Sequence, residues 1–144
     1  MGRLLNDVRS LVLTVIITVL DMIFVLCLIT GTVILLSAYK ERVTGEPQFI
    51  CGYKTVYVSS GSMEDTIKKG QMVMVRRMDG LEAEPGDILF FRRGSQYVIH
   101  RYIGDDAERK ASGERDHMIT KGDNNDIEDV TRLAPEDVLG KVML

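Results

Sequence analysis

The sequence has no tryptophan and only two cysteines, two histidines and three prolines. It has no block of lysine and arginine, and its net charge is -3, so the electrostatic footprint of a nucleic-acid-binding protein is missing. Cys27 lies within an apolar run and Cys51 stands alone after it. Their separation excludes a CxxC metal or redox motif, and two cysteines are too few for a disulfide scaffold. With no internal repeat, the 144 residues fit one modest domain and an N-terminal segment.

The N-terminal segment is a long apolar run. Between residues 10 and 39 the only charged residue is Asp21. The roughly 18 residues of Met22–Tyr39 span about 27 Å as a helix, close to a hydrocarbon core of ~30 Å. Asp21 at mid-bilayer costs on the order of 2.5–3.5 kcal/mol, so we expect it near an interface, with residues 11–20 as a tilted or interfacial extension. The sequence predicts a segment 1–39 with one membrane span whose core is about residues 22–39.

A buried core helix is the alternative for this run, but so small a domain cannot cover that much apolar surface. The charges that flank the span do not predict its orientation in the membrane, because Arg3 and Arg9 before the span are matched by Lys40 and Arg42 after it.

The rest of the chain is predicted to be mainly β. Residues 40–54 form a short polar connector, and residues 55–144 form a β-rich domain in which short alternating runs are separated by turn signals. The predicted strands cover residues 55–59, 71–76, 87–92, 96–104, 116–121 and 138–144, with a hairpin loop at 93–95 and a helical turn at 134–137. This spacing favours an all-β barrel or sandwich. Four methionines, Met63, Met72, Met74 and Met78, are expected in its core.

The stretch from Tyr57 to Ile67 carries the candidate chemistry. A β-favouring run ends there in Ser59, Ser60, Gly61 and Ser62. Serines at the end of a strand present exposed hydroxyls, and glycine lets a substrate backbone approach. Acyl transfer needs such a hydroxyl with donors beside it for the oxyanion. A Ser/Gly-rich surface turn is the alternative.

A serine nucleophile needs a base and a carboxylate that orients the base. The two candidate bases are His100, among apolar residues of a predicted strand, and His117, in a charged neighbourhood at the start of another. The candidate carboxylates follow a tight turn and are Asp123, Asp126, Glu128 and Asp129. These acidic residues do not match the calcium loop of an EF-hand. The residues alone leave the pairing of histidine and carboxylate open.

Three sequence boxes occur in an order that resembles a known family. They are Ser60-Gly61-Ser62-Met63-Glu64, then Pro85-Gly86-Asp87-Ile88-Leu89-Phe90-Phe91 with Val98-Ile99-His100-Arg101, and Thr120-Lys121-Gly122-Asp123-Asn124-Asn125. Together they resemble type I signal peptidases of the endoplasmic-reticulum type, and the connector is most similar to the sporulating-bacterial and archaeal branch. The resemblance implies a signal-peptidase-like β-barrel or sandwich behind an N-terminal transmembrane helix.

The resemblance also implies residue roles. Ser62 is the nucleophile and His100 the general base. Asp129 orients the histidine, and Asp123 ranks second for that role. The Ser62 N–H and the Ser60 hydroxyl form the oxyanion hole. The substrate-binding wall is implied at Val56, Tyr57, Val58, Ser59 and Met63.

The function implied by the resemblance is a membrane-anchored serine endopeptidase that removes signal peptides from secretory preproteins. The resemblance implies that no metal or cofactor is required. The implied partners are preproteins and the lipid bilayer but no nucleic acid, and accessory subunits are left open. The implied location is the cell membrane, single-pass, with the catalytic domain on the extracytoplasmic side.

Some features depart from the family pattern. Asp65 stands where the family usually has proline, and Ser59 where it has an aliphatic residue. Many relatives continue beyond the position of Leu144, so two alternatives stay open: a naturally short member of the family, or a β-domain that lacks its C-terminal end. A catalytically decayed, membrane-tethered peptide-binding β-domain is therefore kept as the alternative. Self-cleaving repressors of the same fold are disfavoured, because they use a lysine base and lack an anchor.

Overall fold

One long helix begins the chain. The computed structural model describes residues 2–144, and helix α1 runs from Gly2 to Thr44. Met1, the first residue of the predicted segment 1–39, lies outside the described residues. Five threonines of α1 donate their hydroxyls to carbonyls one turn earlier at 2.8–3.0 Å, which satisfies these groups within the helix. By length and composition α1 can cross a membrane.

A glycine ends α1. Gly45 has a φ of 69°, and its N–H donates to the carbonyl of Glu41 at 2.8 Å, as expected for a left-handed helix cap. The chain divides into two units, the first ending at Gln48 and the second running from Phe49 to Leu144. The division into residues 1–39, 40–54 and 55–144 stays a prediction.

The second unit is built on one six-stranded antiparallel sheet. Its strands are β1 (Tyr53–Tyr57), β2 (Met72–Arg77), β3 (Ile88–Arg93), β4 (Gln96–Asp105), β5 (Met118–Lys121) and β6 (Val138–Met143). Their spatial order is β1-β2-β6-β3-β4-β5. A short helix α2 (Ala107–Ser112) follows β4, and 3₁₀ turns lie at Gly80–Glu82 and Pro135–Asp137. The fold is therefore mainly β behind an apolar helix, as predicted.

Strand β3 lies between two apolar clusters. Ile88 and Phe90 belong to one cluster, with Met63 and Ile67, whereas Leu89 and Phe91 belong to the other. Because successive side chains point to opposite faces, a strand that is covered on both faces has an unbroken run of apolar residues in its sequence.

Several local predictions were wrong. Strand β5 begins at Met118, not residue 116, so His117 precedes it. Helix α2 was not predicted, although Asp106 caps its N-terminus and Gly113, with a φ of 80°, ends it. Met72 and Met74 are exposed rather than in the core, because every second residue of β2 points outward.

Candidate active site

A cleft of about 590 Å³ opens on one face of the β-domain. The end of β1 with the turn after it forms one wall, and the first half of β4 forms another. The lining residues are Val56, Tyr57, Val58, Ser59, Ser60, Ser62, Met63, Phe90, Arg93, Gln96, Tyr97, Val98, Ile99 and His100. All five residues predicted to bind substrate are among them.

Ser62 lies in a tight turn that the core holds in place. The Glu64 N–H donates to the Gly61 carbonyl at 3.1 Å, and the Ile67 N–H donates to the Met63 carbonyl at 2.6 Å. Met63 and Ile67 are each only 1% exposed. Since these two side chains are fixed in the core, the neighbouring Ser62 is held at the surface of the cleft.

His100 lies between Ser62 and Asp129. Its Nε2 is 3.0 Å from the Ser62 Oγ, and its Nδ1 is 2.7 Å from the Asp129 Oδ2. An ionised carboxylate only accepts hydrogen bonds, so Nδ1 carries a proton, and in a neutral imidazole Nε2 is then the acceptor of a hydrogen bond from the Ser62 hydroxyl. This arrangement is the one that a serine nucleophile and its base require.

Asp129 is buried and receives three donors on one oxygen. Besides His100, the Thr120 hydroxyl donates to its Oδ2 at 2.6 Å, and the Arg93 guanidinium does so at 2.6 Å. Burial acts to raise the pKa of Asp129, but the hydrogen bonds from His100, Arg93 and Thr120 outweigh it and hold that pKa well below its ordinary value. The carboxylate is therefore ionised beside the imidazole.

Asp123 lies on another network and makes no hydrogen bond to His100. It accepts two hydrogen bonds from Arg101, at 2.8 and 2.6 Å, and one from the Thr66 hydroxyl. The Arg101 hydrogen bond is the main reason why the pKa of Asp123 lies below its usual value. Asp123 therefore ties the strand that carries His100 to the turn that carries Ser62.

The turn formed by residues 122–125 closes over the serine turn. The Asn124 N–H donates to the Ser62 carbonyl at 2.8 Å, and its side-chain amide donates to the Gly61 carbonyl at 3.1 Å. A Cβ on Gly122 would lie 2.6 Å from the Ser62 carbonyl oxygen, so only glycine permits this approach.

The predicted oxyanion donors lie beside the nucleophile. The Ser60 Oγ is 3.3 Å from the Ser62 Oγ. Within residues 2–144, the Ser62 N–H has no backbone acceptor. Ser60 and Ser62 both line the cleft.

The other candidate histidine is elsewhere. The His117 Nδ1 is 3.7 Å from an Asp105 carboxylate oxygen and has no hydrogen-bond partner in the described part of the chain. His117 does not line the cleft. In the same part of the chain, no group of three or more His, Cys, Asp or Glu side chains could hold a metal ion.

Sequence reasoning missed four residues of this site. Thr120, Asn124 and Arg101 belong to the boxes quoted above, but nothing in the sequence indicated what their side chains contact. Arg93 was predicted to begin a hairpin loop, whereas it is the last residue of β3. Its partner Asp129 lies 36 residues later, beyond the reach of any local pattern.

Comparison with known proteins supports one relationship. No family model matches the chain. Over 121 residues the chain is 28% identical to signal peptidase I W of Bacillus subtilis (strain 168), an alignment that covers 82% of this chain and 61% of that protein. The chain thus spans about three-fifths of the length of this relative. The similarity supports a relationship to the signal peptidase I family.

Proposed function

We propose that this chain is a membrane-anchored serine endopeptidase that removes signal peptides from secretory preproteins, with Ser62 as nucleophile and His100 as general base. We further propose that it follows the endoplasmic-reticulum type, with Asp129 as the residue that orients the base. The observation that carries the proposal is the continuous hydrogen-bonded series from the Ser62 Oγ through His100 to Asp129, with separations of 3.0 and 2.7 Å.

Acylation follows from this series. The Ser62 Oγ attacks the scissile carbonyl carbon, and its proton passes to the His100 Nε2. The Ser62 N–H and the Ser60 hydroxyl donate to the oxyanion, while the ionised Asp129 stabilises the imidazolium. His100 then gives the proton to the leaving amine, which departs as the new N-terminus of the mature protein and leaves an acyl-enzyme.

Deacylation repeats the steps with water. The His100 Nε2 takes a proton from a water molecule while the oxygen of that water attacks the acyl carbon. The imidazolium returns that proton to the Ser62 Oγ, and the signal peptide leaves with a carboxylate end. Because a protonated imidazole cannot act as a base, we expect activity to fall in acid.

The cleft suits an extended peptide. β1 is an outer strand of the sheet, and its end lines the cleft. An extended substrate can add its backbone to such an edge. The nearby Val58, Met63 and Phe90 are buried, so we expect the side-chain pockets to be shallow and to accept small residues.

The anchor fits the same substrate. The apolar segment of a signal peptide lies in the bilayer, and its cleavage site emerges at the surface. Only residues 45–52 separate the end of α1 from β1, so the chain tethers the β-domain close to the membrane that α1 is proposed to span. We place the β-domain on the extracytoplasmic side.

A cleavage assay on the whole chain in detergent tests the proposal. A signal-peptide-bearing preprotein is incubated with the wild-type protein and with the Ser62→Ala, His100→Ala and His117→Ala variants. We expect cleavage to fall by at least 10³-fold in the first two variants, because each removes a member of the proton-transfer pair. His117→Ala is the matched control and should retain wild-type activity.

Two outcomes would contradict the proposal. Full activity in His100→Ala would remove the proposed base. An inactive wild-type protein that still binds the signal peptide would favour the alternative, a decayed peptide-binding β-domain tethered to the membrane.

A further inference from the structure

Arg93 contacts the same carboxylate oxygen as the imidazole. It is the last residue of β3, and its Nη2 lies 2.6 Å from the Asp129 Oδ2 and 3.4 Å from the Thr120 Oγ1. The Arg93 guanidinium carbon lies 5.2 Å from the centre of the Phe91 ring, so the side chain is held from two directions. Its side chain is 32% exposed and lines the substrate cleft.

The shared oxygen has an electrostatic consequence. With neutral His100, the charges of Arg93 and Asp129 cancel. When His100 gains a proton, the Asp129 carboxylate balances only one of two positive charges. The side chains of His100, Asp129 and Arg93 together then carry a net positive charge. Without Arg93, the same protonation would form a neutral ion pair instead. A nearby cation therefore disfavours the protonated imidazole.

We propose that Arg93 is a positioning residue that anchors the Asp129 carboxylate and opposes protonation of His100, which keeps the base neutral at lower pH. This rests on the proposed function above. The positive charge is the essential property, because it acts on His100 through the shared oxygen. The hydrogen bond alone would orient Asp129 without changing when the base gains its proton.

The other charged groups around the pair are already compensated. Asp123, from the turn after β5, interacts electrostatically with His100 but is paired with Arg101. Lys141, the cross-strand neighbour of Leu89, is paired with Asp87. Thr120 of β5 and Ser62 contribute neutral hydroxyls. Arg132 donates to the backbone carbonyl of Asp129 but is paired with Asp106 and Glu128. Arg93 is therefore the cation that contacts the Asp129 carboxylate beside His100.

The test is the pH dependence of cleavage in four variants of the whole chain in detergent. Arg93→Gln and Arg93→Met remove the charge, with and without a remaining donor, and Arg93→Lys keeps the charge. Arg92→Met is the matched control: the residue precedes Arg93 on β3, is absent from the cleft, and contacts Asp137. Circular dichroism identifies which variants are folded, and either neutral variant suffices.

In the neutral variants, we expect the acid limb of the pH profile of kcat/KM to move to higher pH by roughly one unit. It should stay in place in Arg93→Lys and Arg92→Met. Coincident acid limbs in wild type and the neutral variants would overturn the proposal. So would an equal loss of activity at every pH, which indicates a merely structural role.

A second readout does not need activity. The chain has only two histidines, so the ring signals of ¹³C-labelled histidine are assigned by comparison with His117→Gln. The His100 ring should protonate at higher pH in Arg93→Gln than in wild type, and an unmoved titration would overturn the proposal. If the wild-type protein cleaves no preprotein, the proposed function fails, and this titration alone decides the role of Arg93.

Discussion

Asp129 and Asp123 are six positions apart and carry the same side chain, but they have different partners. Asp129 contacts the imidazole directly, whereas Asp123 contacts Arg101 and Thr66. A carboxylate that is hydrogen-bonded to an imidazole fixes the tautomer of the ring and stabilises the charged form of the ring. A carboxylate bonded to an arginine fixes the position of two segments of chain. The two residues therefore affect different measurable quantities.

We expect Asp129→Asn to lower kcat/KM for preprotein cleavage by about 10²–10⁴-fold, because an amide cannot stabilise the imidazolium. Asp123→Asn should lower activity less than about tenfold and destabilise the fold by about 1–2 kcal/mol, since charged hydrogen bonds are lost at a partly exposed pair. Cleavage kinetics and thermal unfolding in detergent measure both effects. A larger loss of activity in Asp123→Asn would reverse the assignment of the two aspartates.

At the scale of elements, two turns from distant parts of the sequence meet at the site. The turn with Ser62 follows β1, and the turn of residues 122–125 follows β5, at the opposite end of the sheet order. They meet through backbone carbonyls and through the close approach at Gly122. The position of the serine thus depends on the second turn as well as on its own.

Two glycine substitutions distinguish the effect of this contact on activity from a general loss of fold stability. Gly122→Ala places a Cβ 2.6 Å from the Ser62 carbonyl, and Gly140→Ala places one 2.4 Å from the Arg76 carbonyl in the β2–β6 pair. Both should destabilise the fold by about 1–3 kcal/mol, because backbone has to shift. We expect only Gly122→Ala to lose activity per folded molecule, by at least about tenfold. Equal specific activity in the two variants would contradict the role of the second turn.

The sequence predicted the fold class and most strands because these depend on local alternation and turn residues. The mainly β architecture behind an apolar helix is confirmed. The insertion of β6 between β2 and β3 had no local signal, because strand pairing over long sequence separations depends on tertiary packing. For the same reason the sequence supplied the serine, histidine and aspartates but neither their distances nor Arg93. Their catalytic roles stay predictions.

At the scale of the whole molecule, the chain combines an exposed apolar helix with a β-domain that buries its own core. Each unit contains one cysteine. Cys27 lies in the apolar part of α1, and Cys51 lies just before β1, both exposed in the described chain. A membrane would cover the first and leave the second accessible to water. Labelling of these two thiols therefore tests the proposed topology, and no further cysteine has to be introduced.

Intact bacterial spheroplasts that express the chain are treated with a membrane-impermeant maleimide. The Cys27→Ser variant, which retains Cys51, should be labelled from outside, because the proposed topology places the β-domain on the extracytoplasmic side. The Cys51→Ser variant should stay unlabelled until detergent removes the bilayer from Cys27, since the hydrocarbon core excludes a charged reagent. Labelling of Cys51 only after the cells are lysed would place the β-domain in the cytoplasm. Preproteins that have already crossed the membrane would then be out of its reach.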